Sequence, residues 1–416
     1  MDRVGLQDDN RLTPSTHDQI PVHGSVAPGF EEVRDHFVVN FRERGELGAA
    51  CAAYHRGQKV VDLWGGYRDA QRLDPWEDDT LATVFSTTKG MAAMAIAVAH
   101  SRGLFELDEP VATYWPEFAQ AGKAAITVRQ LLSHQAGLSA IDERLDLEVL
   151  SDLDRLAEII ARQRPAWEPG SRHGYHGLSL GYYENELIRR VDPEHRSIGR
   201  FLWEEVARPL DIEFYIGLPA EVPASRLATI QAFHPFTMLL HPKTMPVRMV
   251  LALLWPPSLV ARTLTNPRMR GPGDMDLPEY RAIEFPSGSG VANARALAKA
   301  YGVIATGGQA LGLLPRTMEE LTAPPVLPTG GSRDLIIGWN TAYGLGFWKP
   351  CPVFLPELRL RAFGAAGAGG SLGFADPDTQ VGYAYVMNRM GFHMYDDPRE
   401  KALRDALYRC LGRARA

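Results

Sequence analysis

The pattern of apolar and polar positions predicts strands at the two ends of the chain and helices between them. Residues 48–67 place small and β-branched residues on both sides of Arg56-Gly57, which predicts a β-hairpin. Residues 106–284 are predicted to be mainly helical, and LAEIIARQ and GYYENELIRRV carry apolar residues at helical spacing. Another helix is predicted after Pro286, over NARALAKAYGVIATGG.

The C-terminal part returns to strand patterns before a last helix. YGLGFWK, LRLRAFG and SLGFADPDTQVGYAYVMNRM are typical of strands, the last as a hairpin that turns at residues 376–379. A closing helix is predicted from about Pro398 to Leu411. This order predicts an α+β fold, in which helices flank an antiparallel sheet and an all-helical subdomain is inserted between its parts.

One domain is predicted over residues 26–416, after a polar N-terminal tail over residues 1–25. Its α/β part covers about 26–105 and 285–416, and its helical part covers about 106–284. The segment 233–280 is rich in Pro, Met, Leu and Arg, so it is either an apolar flap over a site or a set of helices packed on the body.

Composition and charge exclude several classes of protein. The 416 residues are 45% hydrophobic and 23% charged, which is ordinary for a globular chain. A net charge of −6 without blocks of like charge argues against nucleic acid and anionic membranes as partners. Three cysteines, Cys51, Cys351 and Cys410, form no C-x-x-C, which argues against a disulfide framework and a zinc site. We therefore expect neither a metal nor an organic cofactor.

Membrane and export signals are weak in this sequence. The N-terminus has no apolar stretch of the kind that signal peptides carry. The most apolar window, Met249–Trp255, is stopped by Pro256 and is too short to span a bilayer. We expect a cytoplasmic protein without an integral membrane segment.

A serine and a lysine three residues apart, Ser86 and Lys89, are the main candidates for catalysis. Residues at this spacing share one face of a helix. The following GMAAMAIAVAH is apolar nearly all round, which predicts a buried helix that disfavours the charged form of Lys89. A neutral amine can activate a serine hydroxyl, and the N–H groups at the helix start can hold an oxyanion. Ser86 as a simple helix cap is the alternative, but it leaves the lysine unexplained.

The motifs together resemble the serine β-lactamase and penicillin-binding-protein superfamily, and within it the class C-like esterases and lipases. The resemblance extends over about residues 30–412 and rests on VFSTTKG, GLFELDEPVATYWPEF, ITVRQLLSHQAGLS, WEPGSRHGYHGLSLGYYENELIRRV, PLDIEFYIGLP and FGAAGAGGSLGFADPDTQVGYAYVMNRM. It implies a β-lactamase/transpeptidase-like fold and a serine nucleophile at Ser86.

The second motif of this family is similar to Tyr175-His176-Gly177. The resemblance implies that Tyr175 is the general base or its partner, with Lys89 nearby to stabilise a phenolate. Gly177 stands where relatives that hydrolyse penicillin carry asparagine, which argues against strong β-lactamase activity. His176 is a candidate for a side chain that faces the cleft.

The third motif aligns with Ala365-Ala366-Gly367, where relatives carry histidine in place of Ala365. The resemblance implies that the backbone N–H of Ala368 completes an oxyanion hole with that of Ser86.

Two further serines, Ser179 and Ser371, lie in G-x-S-x-G sequences, the nucleophile pattern of α/β-hydrolases. Neither has the strand before it and the helix after it that this pattern needs, so we predict that neither is a nucleophile.

The sequence thus predicts a serine hydrolase that cleaves carboxylic esters with apolar acyl chains through an acyl-enzyme on Ser86. Lys89 and Tyr175 share the proton transfers, and the partner is a small-molecule ester or amide. Alternatives stay open: a β-lactamase, D-aminopeptidase or amide hydrolase; an acyltransferase; or, given Ala365, a non-catalytic scaffold. The oligomeric state is not specified by the sequence.

Overall fold

An antiparallel sheet of eight strands forms the centre of the molecule. The computed structural model describes residues 20–233 and 247–413. The order of the strands is β1-β3-β2-β11-β10-β9-β8-β7, and a second sheet of three short strands has the order β4-β6-β5. The strands are β1 Val22–Val26, β2 Gly48–His55, β3 Gln58–Gly66, β4 Ala82–Thr83, β5 Phe214–Tyr215, β6 Val291–Ala292, β7 Tyr343–Gly344, β8 Phe347–Trp348, β9 Phe363–Ala366, β10 Leu372–Asp376 and β11 Val381–Met387.

Helices cover both faces of the large sheet. The α-helices are α1 Glu31–Glu43, α2 Thr88–Ser101, α3 Val111–Tyr114, α4 Val128–Leu132, α5 Leu147–Ser151, α6 Leu153–Arg162, α7 Leu180–Val191, α8 Ile198–Leu202, α9 Val247–Leu253, α10 Leu259–Leu264, α11 Pro278–Ala282, α12 Ala294–Ala305, α13 Pro315–Thr322 and α14 Pro398–Arg413. Between α2 and α11 the described regular elements are helices, apart from the short strand β5. The division into domain parts stays a prediction.

The alternation of side chains along β11 shows how the sheet joins two apolar cores. Tyr383 and Tyr385 pack in the core that α1 and α14 cover. Ala384 and Val386 face the other core, which contains α2 and α12. Because successive side chains of a strand point to opposite faces, one strand contributes to both cores.

The helix α2 lies inside the second core. All of its residues are buried, which agrees with its nearly uniform apolar sequence. The predicted buried helix is therefore present, and it begins two residues after Ser86. The first residues of this helix come close to the strand β9 at the edge of the same core.

The hairpin predicted around Arg56-Gly57 is present as β2 and β3. Both turn residues have positive φ, 52° and 77°, as in the two-residue turns whose twist matches that of paired strands. The hairpin of β10 and β11 and the closing helix also agree with the prediction.

Four details differ from the sequence predictions. Residues 22–25, assigned to the tail, form most of β1 and pair with β3. The predicted all-helical part contains β5, a strand of two residues that is too short to show a period. YGLGFWK is divided into β7 and β8, because Leu345 and Gly346 have positive φ and turn the chain. In LRLRAFG only the end belongs to a strand, β9.

The predicted flap is described in part. Residues 234–246 lie outside the described residues, and the rest contains α9, α10 and α11. The helix α10 packs on the body, where the Thr263 hydroxyl donates to the Ser139 hydroxyl at 3.0 Å. Within the described residues, no helix is both long and apolar enough to cross a bilayer.

Candidate active site

Ser86 lies in a short 3₁₀ turn that leads directly into α2. The preceding residue, Phe85, has a φ of 46°, a strained conformation for a residue with a Cβ. Thr87 is the residue that flanks the helix start, and no side-chain cap is formed there. Ser86 is therefore not a helix cap, and its partly exposed hydroxyl points toward Lys89.

Lys89 lies beneath Ser86 with its amine held in place. Its Nζ donates to the Ser86 Oγ at 3.2 Å and to the carbonyl oxygen of Ser287 at 2.7 Å. Only 1% of the lysine is exposed. Burial lowers its pKa to about 7, against a smaller opposite effect of the Glu184 charge. A substantial fraction of the amine is therefore unprotonated at neutral pH and can accept a proton from Ser86.

Tyr175 completes this group of side chains from the loop before α7. The Lys89 Nζ lies 5.2 Å from the centre of its ring. Burial raises the Tyr175 pKa to about 12, while hydrogen bonds with Ser86 and Trp348 lower it and the charge of Asp334 raises it. The phenol is neutral at physiological pH, so it is suited to donate a proton rather than to accept one.

Aromatic rings fix the position of Tyr175. The ring centre of His134 is 5.2 Å from that of Tyr175, and the ring centre of Trp348 is 5.6 Å away. Tyr343 stacks on the same ring at 6.4 Å. The Tyr343 hydroxyl donates to the Asp334 carboxylate at 3.0 Å.

His176 does not face the cleft, contrary to the sequence-based hypothesis. Its Nε2 accepts the backbone N–H of Leu138 at 3.0 Å, and its Nδ1 lies 2.6 Å from the Gly174 carbonyl oxygen. Burial lowers its pKa to about 3. The ring is neutral and holds the loop that carries Tyr175, because both nitrogens are used by the backbone.

The third motif brings β9 against the turn that carries Ser86. A Cβ added to Gly367 would lie 2.3 Å from the Val84 carbonyl oxygen and 2.3 Å from the Ser371 Oγ. No side chain fits there, so glycine permits this close approach. Ala368 follows at an exposed position beside the serine turn.

Ala365 and Ala366 point to opposite faces of β9. Ala365 is buried toward the start of α2, whereas Ala366 packs in the core that α14 covers. The phenol of Tyr301 lies across Gly373, the strand partner of Ala365, and its hydroxyl reaches Gly90. Tyr301 therefore occupies the space next to Ala365, into which a larger side chain at this position would extend.

The serines of the two G-x-S-x-G sequences serve structural roles. The Ser179 hydroxyl donates to the Leu138 carbonyl oxygen at 2.7 Å, and the Ser371 hydroxyl donates to the Val84 carbonyl oxygen at 2.8 Å. Both side chains are buried. No metal-binding cluster of His, Cys, Asp or Glu is found within residues 20–233 and 247–413.

Three residues of the site were missed by the sequence reasoning. Ser287 acts through a backbone carbonyl, which leaves no signal in the sequence. Trp348 lies in a strand of two residues, and its contact with Tyr175 joins distant parts of the chain. Glu184 lies on α7 in the sequence ENE, which is typical of a solvated face, yet its side chain is buried.

Comparison with known proteins identifies the family to which this fold belongs. The Beta-lactamase family model matches residues 34–408. The chain is 34% identical over 390 residues to "Esterase/beta-lactamase LipL" of Mycobacterium tuberculosis, covering 89% of this chain and 83% of that protein. A solved family VIII carboxylesterase has a TM-score of 0.80 and 37% identity, covering 94% of this chain and 100% of that one. A penicillin-binding protein homolog from Caulobacter crescentus has a TM-score of 0.80 and 36% identity over the same shares of the two chains. The predicted fold and family resemblance are confirmed.

Proposed function

The chain belongs to the Beta-lactamase family and is a serine hydrolase of the carboxylesterase type, and from this premise we propose that Ser86 attacks the ester carbonyl while Lys89 takes its proton. The single observation that carries the proposal is the 3.2 Å contact between the Lys89 Nζ and the Ser86 Oγ, made by a lysine whose pKa burial lowers to about 7. A serine hydroxyl is a weak nucleophile, and a base within hydrogen-bond reach makes it reactive.

Lys89 is the better base of the two candidates. Its pKa of about 7 allows a free amine at neutral pH, whereas the Tyr175 pKa of about 12 disfavours the phenolate. The Ser287 carbonyl oxygen accepts one amine hydrogen, which holds the nitrogen within reach of Ser86. A base with a pKa near the working pH is the most effective.

Tyr175 supplies a proton to the leaving alcohol in this mechanism. Its neutral phenol is hydrogen-bonded to Ser86. The alkoxide of the substrate leaves next to Ser86 when the bond between the acyl carbon and the ester oxygen of the substrate breaks. Lys89 then returns its proton to Tyr175. Water attacks the acyl-enzyme by the same route in reverse, which releases the acid and restores Ser86.

The N–H groups of Ser86 and Ala368 hold the oxyanion in this proposal. The close approach of Gly367 to the serine turn supports it, because it brings β9 to the start of α2. The unpaired N–H groups and partial positive charge at a helix start favour the same negative charge.

We propose esters with apolar acyl chains as the substrates. Leu264 of α10 lies against Gly177, where an added Cβ would be 2.8 Å from its Cδ2. This places an apolar side chain two residues from Tyr175. A chain-length series of p-nitrophenyl esters tests the preference, which predicts a higher kcat/KM for medium chains than for acetate.

Hydrolysis of β-lactams is the second candidate, because one similar protein carries both names, esterase and beta-lactamase. An acyl-enzyme serves both reactions. Gly177, in place of an amide side chain, favours esters. Rates with nitrocefin and with p-nitrophenyl esters, measured on the same preparation, separate the two.

The cytoplasmic location expected from the sequence stays a prediction.

Labelling by a fluorophosphonate probe tests the nucleophile. We expect the parent to be labelled and Ser86→Ala to lose both labelling and ester hydrolysis. Ser179→Ala and Ser371→Ala are matched controls, because both serines lie in G-x-S-x-G sequences and are buried. Labelling that persists in Ser86→Ala and disappears in either control would refute the assignment.

A further inference from the structure

A buried carboxyl group, Glu184, lies near the catalytic lysine without a hydrogen-bond partner. The residue is 0% exposed, and neither of its carboxyl oxygens has a partner among the described residues. A buried polar group of this kind is rare in folded proteins and costs stability. A function for this carboxyl group would explain why the fold accepts that cost.

The Glu184 carboxyl group belongs to α7, which packs against α2. A Cβ added to Gly346 would lie 2.9 Å from the Glu184 Oε1 and 2.9 Å from the Ala93 Cβ. Ala93 is one helical turn after Lys89, so both residues lie on one face of α2. The glycine in the β7–β8 turn therefore leaves room for this carboxyl group next to the face that carries Lys89.

The two side chains act on each other electrostatically. Burial raises the pKa of Glu184 to about 8, and the charge of Lys89 lowers it. The charge of Glu184 in turn raises the pKa of Lys89. Interactions between charges are strong in an interior that excludes water.

Other ionisable groups around α7 are engaged away from Glu184. On α7 itself, Glu186 binds Arg189 and Arg190. On the packed helices and the β7–β8 hairpin, the other described charged groups form ion pairs away from Glu184: Arg129 with Asp108 and Glu320, Asp154 with Arg189, Arg155 with Glu148, Arg162 with Glu143, and Arg200 with Glu204. Four further titratable side chains form hydrogen bonds elsewhere: His100 with Thr317, Tyr114 with the Glu106 N–H, Tyr183 with the Ile160 carbonyl oxygen, and Tyr343 with Asp334. Tyr182 is a buried neutral phenol, and Glu158 is exposed to solvent.

The groups that face Lys89 are neutral or carry partial charges. Ser86 and the Ser287 carbonyl oxygen contact its amine, and the Tyr175 ring lies beside it. Burial lowers the pKa of His134 well below its usual value, and interactions with His176 and Lys89 lower it further, so this ring is neutral. Glu184 is thus the acidic group that acts on Lys89.

We propose that Glu184 is a positioning residue for this reaction: its carboxylate balances the positive charge that Lys89 acquires on taking the Ser86 proton. The inference rests on the hydrolase function proposed above and adds a third member to the pair of Ser86 and Lys89. The proton moves from Ser86 Oγ to Lys89 Nζ as the oxygen–acyl bond forms, and Glu184 exchanges no proton in that step.

The pH profile of kcat/KM for a p-nitrophenyl ester tests the inference. In the parent we expect the rate to rise in two steps, near pH 7 as Lys89 loses its proton and near pH 8 as Glu184 ionises. In Glu184→Gln we expect only the step near pH 7, because the group that ionises near pH 8 has been removed. The plateau falls about 3- to 10-fold, since a weaker base is less effective.

Matched variants separate this role from a structural one. Glu186→Gln removes another buried carboxylate of α7, one paired with arginines, and should leave the profile unchanged. Glu184→Asp keeps the charge and should keep two steps. Thermal unfolding establishes that each variant is folded.

Two results would overturn the inference. The first is a Glu184→Gln profile with the same steps as the parent. The second, which needs no variant, is a single ionisation in the parent. If Ser86→Ala abolishes hydrolysis while either result is found, the inference alone fails. If Ser86→Ala retains hydrolysis, the proposed function fails and the inference with it.

Discussion

At the scale of single residues, the reactivity of the site comes from the burial of Lys89, which lowers the pKa of its amine. Lys89 has been moved out of water but keeps two hydrogen-bond acceptors, Ser86 and the Ser287 carbonyl. The spacing of Ser86 and Lys89 and the apolar helix after them were enough to predict this pair. Glu184 could not be predicted, because only the packing of α7 against α2 shows that it is buried.

Replacing Lys89 by arginine tests whether the residue acts as a base. Arginine keeps a positive charge but does not give up its proton in proteins. We expect kcat/KM for an ester to fall about 10²- to 10⁴-fold in Lys89→Arg. Lys123→Arg is the matched control, since Lys123 is also a buried lysine but donates to the carbonyl oxygens of Ala161 and Gln163. An active Lys89→Arg would show that the charge alone is needed.

At the scale of elements, the site depends on the contact between β9 and the start of α2. The strand β9 was predicted too long, because the alternation in LRLRAFG resembles a strand although residues before Phe363 form turns. The hairpin of β2 and β3 was predicted correctly, since its turn residues and its two strands carry consistent signals. Strands of two residues, such as β5 and β8, have no detectable period.

A side chain at Gly367 should separate β9 from the serine turn. In Gly367→Val the Cβ would meet the Val84 carbonyl oxygen, so the strand must shift. We expect kcat to fall about 10²-fold, as when one oxyanion donor is removed, with a smaller change in KM. Gly273→Ala is the control, because no atom lies within 4 Å of its added Cβ. A Gly367→Val enzyme with unchanged kcat would contradict the oxyanion hole proposed for this strand.

Placing histidine at position 365 tests how this chain fills the space next to β9. Tyr301 lies there, so we expect Ala365→His to lower the free energy of unfolding by about 1–3 kcal/mol through overpacking. Tyr301→Phe removes a buried hydroxyl that has no partner among the described residues. In urea unfolding, the double variant should be more stable than the sum of the single effects predicts. Strict additivity would mean that the two side chains do not compete for space.

For the whole molecule, the order of the motifs was the most informative feature of the sequence. Several short patterns in the correct order predicted the family, which the match over residues 34–408 confirms. The start of the folded part was placed too late, because β1 is short and partly polar. The buried pair of Lys89 and Glu184 belongs to this scale as well, because shifted pKa values make the stability of the whole fold depend on pH.

The stability of the protein should depend on pH through these two groups in opposite directions. Lys89 has a folded pKa of about 7 against 10.5 in a free side chain, so its cost to stability is complete below pH 7 and vanishes above pH 10.5. Glu184 has a folded pKa of about 8 against 4.5, so its cost is absent below pH 4.5 and complete above pH 8.

Two variants measure these contributions by thermal unfolding. Lys89→Met should be inactive and should raise Tm most below pH 7, with a gain that disappears toward pH 10.5. Glu184→Gln should raise Tm most above pH 8, with a gain that disappears toward pH 4.5. A constant change in Tm across this range, for either variant, would show that the buried group does not titrate as described.

The most direct measurement of the central claim is the location of the acyl group during turnover. The parent is mixed with a p-nitrophenyl ester, quenched in acid within one turnover, digested and analysed by mass spectrometry. The account predicts that the acyl group is found on Ser86 in the parent and is absent from Ser86→Ala. An acyl group on Ser179, Ser371 or any other residue, or no acyl group in an enzyme that is turning over, would contradict it.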